Sequence, residues 1–139
     1  MKKIVIIMGS ETDGPHAEKI TARLAVLGHQ ADVHVASAHK QPRKVLEIID
    51  SYAQEEAVVY ITLAGRSNAL SGFTAANTDF PVLACPPFAD KTDMLVNIHS
   101  TLQMPSNVPV MTVLDPGNTA LAVKRIFDLI PGGSEPCAD

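Results

Sequence analysis

The stretch Lys3-Ile4-Val5-Ile6-Ile7-Met8-Gly9-Ser10-Glu11-Thr12-Asp13-Gly14-Pro15 decides the fold. Lys3–Met8 is a continuous apolar run, as expected of a strand covered on both faces. Gly9–Asp13 breaks the run with small and polar residues. Asp13-Gly14-Pro15 then offers a capping side chain and a proline for the first helical turn. Ala17, Ile20, Leu24 and Leu27 follow at steps of three, four and three, which is one face of a helix, and Gly28 stops it. The unit is strand, loop, helix. Lys2 and Lys3 ahead of an apolar run superficially resemble a secretion signal, but the run is shorter than the ~7–15 residues such a segment needs.

The same unit recurs outward along the chain. Ala31–Ala36 reads as a second strand, and Gln41–Ala53 as a helix with Pro42 in its first turn and Val45, Leu46 and Ile49 facing inward. Ala57–Ala64 is the most apolar strand and is expected at the centre of the sheet. A polar loop leads to a short helix over Leu70–Asn77, then to a strand at Val82–Ala84 stopped by Cys85-Pro86-Pro87. Asp93–Leu102 reads as a helix, Val108–Val113 as the last strand, and Thr119–Leu129 as a closing helix with Ala122, Ile126 and Leu129 on its inner stripe. Strands alternating with helices imply a parallel sheet. The expected fold class is α/β: a three-layer α/β/α domain on a doubly wound five-stranded parallel sheet, flavodoxin-like or Rossmann-like in arrangement.

With 139 residues the chain is one domain on the usual prior. Residues 1–130 are expected to form a single catalytic domain and 131–139 a loose C-terminal tail. A composition of 46% hydrophobic and 19% charged residues is ordinary for a globule. The net charge of −4 argues against a broad nucleic-acid or anionic-membrane surface, so any phosphate must be held locally. Two cysteines, Cys85 and Cys137, make no disulfide framework, and no spacing of ligating residues points to a metal. Nothing approaches the ~18–20 apolar residues of a membrane span, so the cytoplasm is the expected compartment.

In open α/β sheets, ligands bind beyond the carboxyl ends of the strands, where strand order reverses. Three strand-to-helix loops qualify: Gly9–Gly14, Ser37–Gln41 and Gly65–Gly72. In the first, Ser10 offers a hydroxyl and Asp13 an acceptor for a sugar hydroxyl, ahead of free helix N–H groups. Capping by Thr12 or Asp13 is the blander reading of the same residues. The dinucleotide and P-loop fingerprints are absent, which disfavours NAD and ATP. In the second loop, Ser37, His39 and Lys40 bring together a hydroxyl, a group titrating near neutrality and a fixed cation. His16, His29, His34 and His99 lack such company and read as structural or solvated. In the third, Gly65, Arg66, Ser67 and Asn68 give close backbone approach and several donors. Cys85, before two prolines, reads as a packed thiol.

These loops carry a resemblance. Met8–Asp13 (MGSETD), Ser37–Pro42 (SAHKQP), Ala64–Gly72 (AGRSNALSG), Cys85–Pro87 (CPP) and Leu102–Val110 (LQMPSNVPV) resemble the aminoimidazole ribonucleotide (AIR) carboxylases and mutases of purine synthesis. The resemblance runs from about residue 3 to 130. It implies an enzyme that acts on a ribonucleotide and CO2 without metal, biotin, ATP or other cofactor, assembled as a homo-oligomer, typically an octamer, with sites near subunit interfaces. Lys40, and Ala69 where mutases carry a second histidine, resemble the branch that adds free CO2 directly; the N5-carboxyaminoimidazole ribonucleotide mutase is the alternative.

On this resemblance His39 is the expected general acid/base. Ser10, Ser37 and Lys40 bind phosphate or position the ring, Asp13 takes the ribose hydroxyls, and the backbone amides of Gly65 to Ser67, with the Ser67 hydroxyl and a catalytic Lys40, stabilise the developing carboxylate; Gly9, Arg66 and Asn68 complete the substrate-binding set, Arg66 by contact or by orienting the loop. Which of Ser10, Ser37 and Lys40 holds the phosphate stays open. The rival from another class is a non-catalytic flavodoxin-like or receiver-like module binding a phosphorylated ligand. A receiver wants acidic residues after its first strand and an Asp ending its third. Here those positions read Gly9-Ser10 and Ala64-Gly65, and the two tyrosines, Tyr52 and Tyr60, lie outside the loops a flavin would need.

Overall fold

The structure is a computed structural model and describes residues 1–132. Its elements are β1 (Lys2–Met8), α1 (Gly14–Val26), β2 (Asp32–Val35), α2 (Pro42–Ser51), β3 (Ala57–Leu63), α3 (Leu70–Ala76), β4 (Val82–Ala84), α4 (Lys91–Asn97), α5 (His99–Leu102), β5 (Met111–Thr112) and α6 (Pro116–Asp128). The five strands run parallel in the order β2-β1-β3-β4-β5, with β3 at the centre as its composition predicts. Side chains alternate across the sheet. Ile4, Ile6 and Met8 pack toward α1 and α6 with Ile20, Leu24, Val123 and Phe127, while Val5 and Ile7 pack toward α2 and α3 with Val45, Ile49 and Leu70. Burial on both faces explains the unbroken apolar runs of β1 and β3.

The strand ends set the site. Met8 pairs with Val35 on one side and with Leu63 on the other, so β1, β2 and β3 finish at one level. Ladder-type bonds continue one residue further: Ala36 N–H donates to the Met8 carbonyl at 2.9 Å and Gly9 N–H to the Leu63 carbonyl at 3.0 Å. The chain reverses its winding between β1 and β3, which is where a doubly wound sheet opens a crevice.

At the end of α1, Gly28 adopts a φ of 83° and two capping bonds form, His29 N–H to the Leu24 carbonyl at 2.8 Å and Gly28 N–H to the Ala25 carbonyl at 3.1 Å. The start of α1 differs from expectation. Neither Thr12 nor Asp13 caps it with a side chain; Ser10 instead caps a single 3-10 turn over Glu11–Asp13, accepting from Thr12 N–H.

Four other expectations are corrected. In α2 the buried stripe is Val45, Ile48 and Ile49, continued by Tyr52, whereas Leu46 lies about 100° around the helix from Val45 and is half-buried. The helix expected over Asp93–Leu102 starts earlier, because Asp90 accepts from Asp93 N–H at 2.8 Å, and it breaks at Ile98 into α4 and α5. Val108–Val113 yields only the two-residue β5, since Pro109 brings no N–H to the ladder. In α6, Ala120, Val123 and Phe127 face the core; Ala122 and Ile126 flank them and Leu129 is 83% exposed beyond the helix end. Of the expected tail, residues 133–139 lie outside the described residues. No helix among the described residues is long and apolar enough to cross a membrane. Leu95, Val96, Leu102, Met111 and Leu114 remain exposed around α4, α5 and β5.

Candidate functional site

The three loops predicted from strand ends meet. An open cleft of about 480 Å³ is lined by Gly9, Ser10 and Asp13 from the first loop, Ser37, Ala38 and His39 from the second, and Ala64–Ser67 with Ala69 and Leu70 from the third. Lys40 and Asn68, both expected to touch ligand, are not among these lining residues.

The second loop is a tight turn. Gln41 N–H donates to the Ser37 carbonyl at 2.7 Å, and Lys40 N–H donates to Ser37 Oγ at 3.2 Å. The turn exposes the side chains of both His39 and Lys40. His39 Nε2 lies 2.8 Å from the Ser67 carbonyl oxygen, joining the second loop to the third. His39 is the one histidine that lines the cleft among the described residues.

The first loop keeps its polar groups at the opening. Ser10 Oγ is shared with Thr12 Oγ1 at 2.9 Å, so its hydroxyl both caps the turn and borders the cleft. Burial raises the Asp13 carboxyl above its ordinary value, while the Ser10 backbone N–H and the His16 imidazole pull it back.

The third loop rests on two supports, neither of which is adjacent in sequence. A Cβ on Gly65 would lie 2.5 Å from the Pro87 carbonyl oxygen, so only glycine fits against the Cys85-Pro86-Pro87 segment. Ser67 adopts a φ of 42°, a left-handed conformation uncommon for a residue with a Cβ. Asn68 is buried and its amide turns inward, donating to Ser71 Oγ at 2.6 Å and to Thr101 Oγ1 at 3.0 Å while Oδ1 accepts from Ser71 N–H. Its backbone N–H donates to Ser100 Oγ at 2.9 Å. Asn68 therefore builds the loop from beneath. Arg66 is exposed and reaches toward α4. The Asp93 carboxylate there is held below its ordinary value, chiefly by the Ala89 N–H at 2.8 Å, with Asn97 and the Arg66 charge assisting.

The sequence reading missed Ser100, Thr101 and Pro87 as supports of this loop. They lie far along the chain, and no local spacing announces contacts across 22 to 33 residues; only Gly65 hinted that something approaches closely. It also left His16 as an isolated histidine. In the structure His16 Nε2 donates to the Cys85 carbonyl at 3.1 Å, and burial lowers the imidazole below its ordinary value. His34 lies 2.7 Å from the Tyr52 hydroxyl, which donates to Asp32, and His29 packs against Phe127. No group of three or more His, Cys, Asp or Glu side chains among the described residues is arranged to hold a metal ion.

Cys85 is fully buried, its Sγ donating to the Leu114 carbonyl at 3.6 Å, and burial pushes its thiol up to about 11. The unfolded thiol titrates near 9. The protonated form thus contributes stability that is whole below pH 9 and is lost as pH rises toward 11. The thiol should lower the unfolding free energy by about 1 kcal/mol between pH 8 and 10, and Tyr52 and Tyr60, both raised by burial from an ordinary value of 10, add a smaller fall at the top of that range. Guanidinium melts of the wild type and Cys85→Ser under reducing conditions check this: the slope should be shallower in the variant by the thiol's share, and an equal slope in both would contradict it.

Residues 3–130 match the family model described as AIR carboxylase. The phosphoribosylaminoimidazole carboxylase of Archaeoglobus fulgidus is 54% identical over 127 residues, spanning 91% of this chain and 69% of that protein. The enzyme of the same name from Treponema denticola is 42% identical, spanning 91% of this chain and 79% of its own. A crystal structure of Treponema denticola PurE superposes with a TM-score of 0.85 at 40% identity, covering 93% of this chain and 82% of that one.

Proposed function

The chain belongs to the AIR carboxylase family, and from that premise we propose that this carboxy-lyase of purine synthesis adds free CO2 directly to 5-aminoimidazole ribonucleotide. The product is 4-carboxy-5-aminoimidazole ribonucleotide, and the reaction is reversible and independent of ATP. The observation that carries the reading is the His39–Ser67 junction at 2.8 Å over a cleft lined by small and hydroxyl residues together with Asp13, Arg66 and Leu70. A base at the mouth of an open cleft, beside backbone amides, is within reach of a substrate proton.

The exocyclic amine of the substrate pushes electron density into the ring, and the ring carbon attacks CO2. One carbon–carbon bond forms, and an electron pair of CO2 moves onto oxygen to give the carboxylate. That developing charge falls to the backbone amides of Gly65 to Ser67, the Ser67 hydroxyl and the Lys40 ammonium. His39 then takes the proton from the ring carbon, which restores aromaticity and leaves the product and a protonated imidazole. Ser10, Ser37 and Lys40 serve the phosphate and ring position, Asp13 the ribose hydroxyls, and Gly9 the close approach of the first loop. Arg66, aimed toward α4, orders the rim.

Two positions support CO2 over a carboxylated amine as the carbon source. Lys40 follows His39, and Ala69 presents a methyl to the cleft where the resembling mutases carry a second histidine. The test supplies purified protein with aminoimidazole ribonucleotide and dissolved CO2, without ATP, and in parallel with N5-carboxyaminoimidazole ribonucleotide under CO2 scavenging. Turnover in the first set alone is expected. Turnover in the second alone makes the chain a mutase, and silence in both returns the binding-module reading. We further propose a cytoplasmic enzyme whose residues 1–130 form the catalytic domain and assemble as a homo-octamer, the assembly supported by the apolar side chains exposed on α4, α5 and around β5. A monomer on sedimentation of the same preparation would count against it.

A further inference from the structure

Ser100 lies on α5, outside the three loops and outside the cleft lining, yet it holds one end of a short physical chain that terminates on His39. The Ser67–Asn68 peptide is planar and trans, so its carbonyl and its N–H point in opposite directions. Both ends are engaged. The Asn68 N–H donates to Ser100 Oγ at 2.9 Å, and the Ser67 carbonyl meets His39 Nε2 at 2.8 Å. Ser100 Oγ spends its own proton on the Asn97 carbonyl at 3.0 Å, which leaves it an acceptor toward the peptide and ties the arrangement to the end of α4. Beneath, the buried Asn68 amide fastens to Ser71 and Thr101, and the φ of 42° at Ser67 sets the peptide plane at a tilt that an ordinary extended or helical residue would not give.

A carbonyl oxygen only accepts. The His39 nitrogen facing Ser67 must therefore carry a hydrogen, and the neutral ring must keep its lone pair on Nδ1. Among the described residues no hydrogen bond reaches Nδ1. We propose that Ser100 is a positioning residue for His39: by clamping the Ser67–Asn68 peptide it fixes the imidazole in the tautomer with hydrogen on Nε2, making Nδ1 the nitrogen that exchanges the substrate proton. This rests on the carboxylase reading for its kinetic consequence, although the tautomer itself is a property of the free protein.

The experiment is two-bond 15N–1H correlation NMR on histidine-labelled, ligand-free protein above pH 8, with His39 assigned from its loss in His39→Gln. The wild type should show a pyrrole-type Nε2 and a pyridine-type Nδ1 for His39. Ser100→Ala removes the acceptor at a half-buried site and should shift the ring toward a mixture of tautomers. It should also lower kcat by roughly ten- to a hundredfold with KM little changed, and Ser100→Thr should restore both. A wild-type ring protonated at Nδ1, or a Ser100→Ala protein with unaltered tautomer and kcat, overturns the proposal. Normal tautomer behaviour in a protein that turns over no ribonucleotide would instead refute the carboxylase reading and leave this one standing.

Discussion

His39→Gln is expected to retain ribonucleotide binding within about twofold while losing turnover by about 10²–10⁴-fold, the usual contribution of a positioned acid/base. Glutamine is the informative replacement because its amide nitrogen can reach where Nε2 now stands. The contact to the Ser67 carbonyl at 2.8 Å, and with it the third loop, is kept. What disappears is a group able to take a proton near neutral pH. Calorimetric titration with the ribonucleotide and steady-state turnover, measured on the same preparation, separate the two effects. Wild-type turnover in the variant would remove His39 from the mechanism, and loss of binding in step with turnover would make it a binding group.

Gly65→Ala should be the most damaging single methyl in the chain. The new Cβ would sit 2.5 Å from the Pro87 carbonyl oxygen, well inside contact distance. That oxygen has little room to retreat. Two consecutive prolines stiffen its segment, and His16 holds the Cys85 carbonyl just before them. The third loop must move instead, carrying the Ser67 carbonyl away from His39. Overpacking of this kind costs roughly 1–3 kcal/mol, and the displaced loop should abolish measurable turnover. Gly14→Ala is the internal control, since its Cβ would meet nothing within 4 Å and should be accommodated. Denaturant midpoints and ribonucleotide titrations of the two variants side by side decide the matter; equal stability would mean that the Pro87 contact yields.

What could be read from the chain and what could not divide along one physical line. The apolar runs of β1 and β3 announced strands buried on both faces, and the rule for strand ends then located all three loops, because each depends on residues a few positions apart. The face of α6 was misassigned because Ala122 and Ile126 make as good a periodic stripe as Val123 and Phe127, and only packing against α1 and the sheet chooses between them. Val108–Val113 looked like a strand from composition, yet Pro109 withholds a donor and the ladder shrinks to Met111–Thr112. The support beneath Asn68 was the part of the site least legible in the chain. The residue's place in a donor-rich loop suggested ligand contact, whereas its amide is consumed by Ser71 and Thr101, the latter a partner 33 residues away.

The common level at which β1, β2 and β3 end makes this domain modular in an engineering sense. The first and third loops leave from the paired residues Met8 and Leu63, and the second from Val35, all anchored in the ladders below. The stems are thus held by the scaffold, whatever sequence lies between them. Segments such as Gly65–Gly72 become exchangeable cassettes. A donor loop from a related enzyme inherits the same anchor points and the same neighbouring histidine, provided that Gly65 and the residue facing Ser100 travel with it. The strands fix where the loops begin, and Pro87, Ser100 and Thr101 fix how the third one sits.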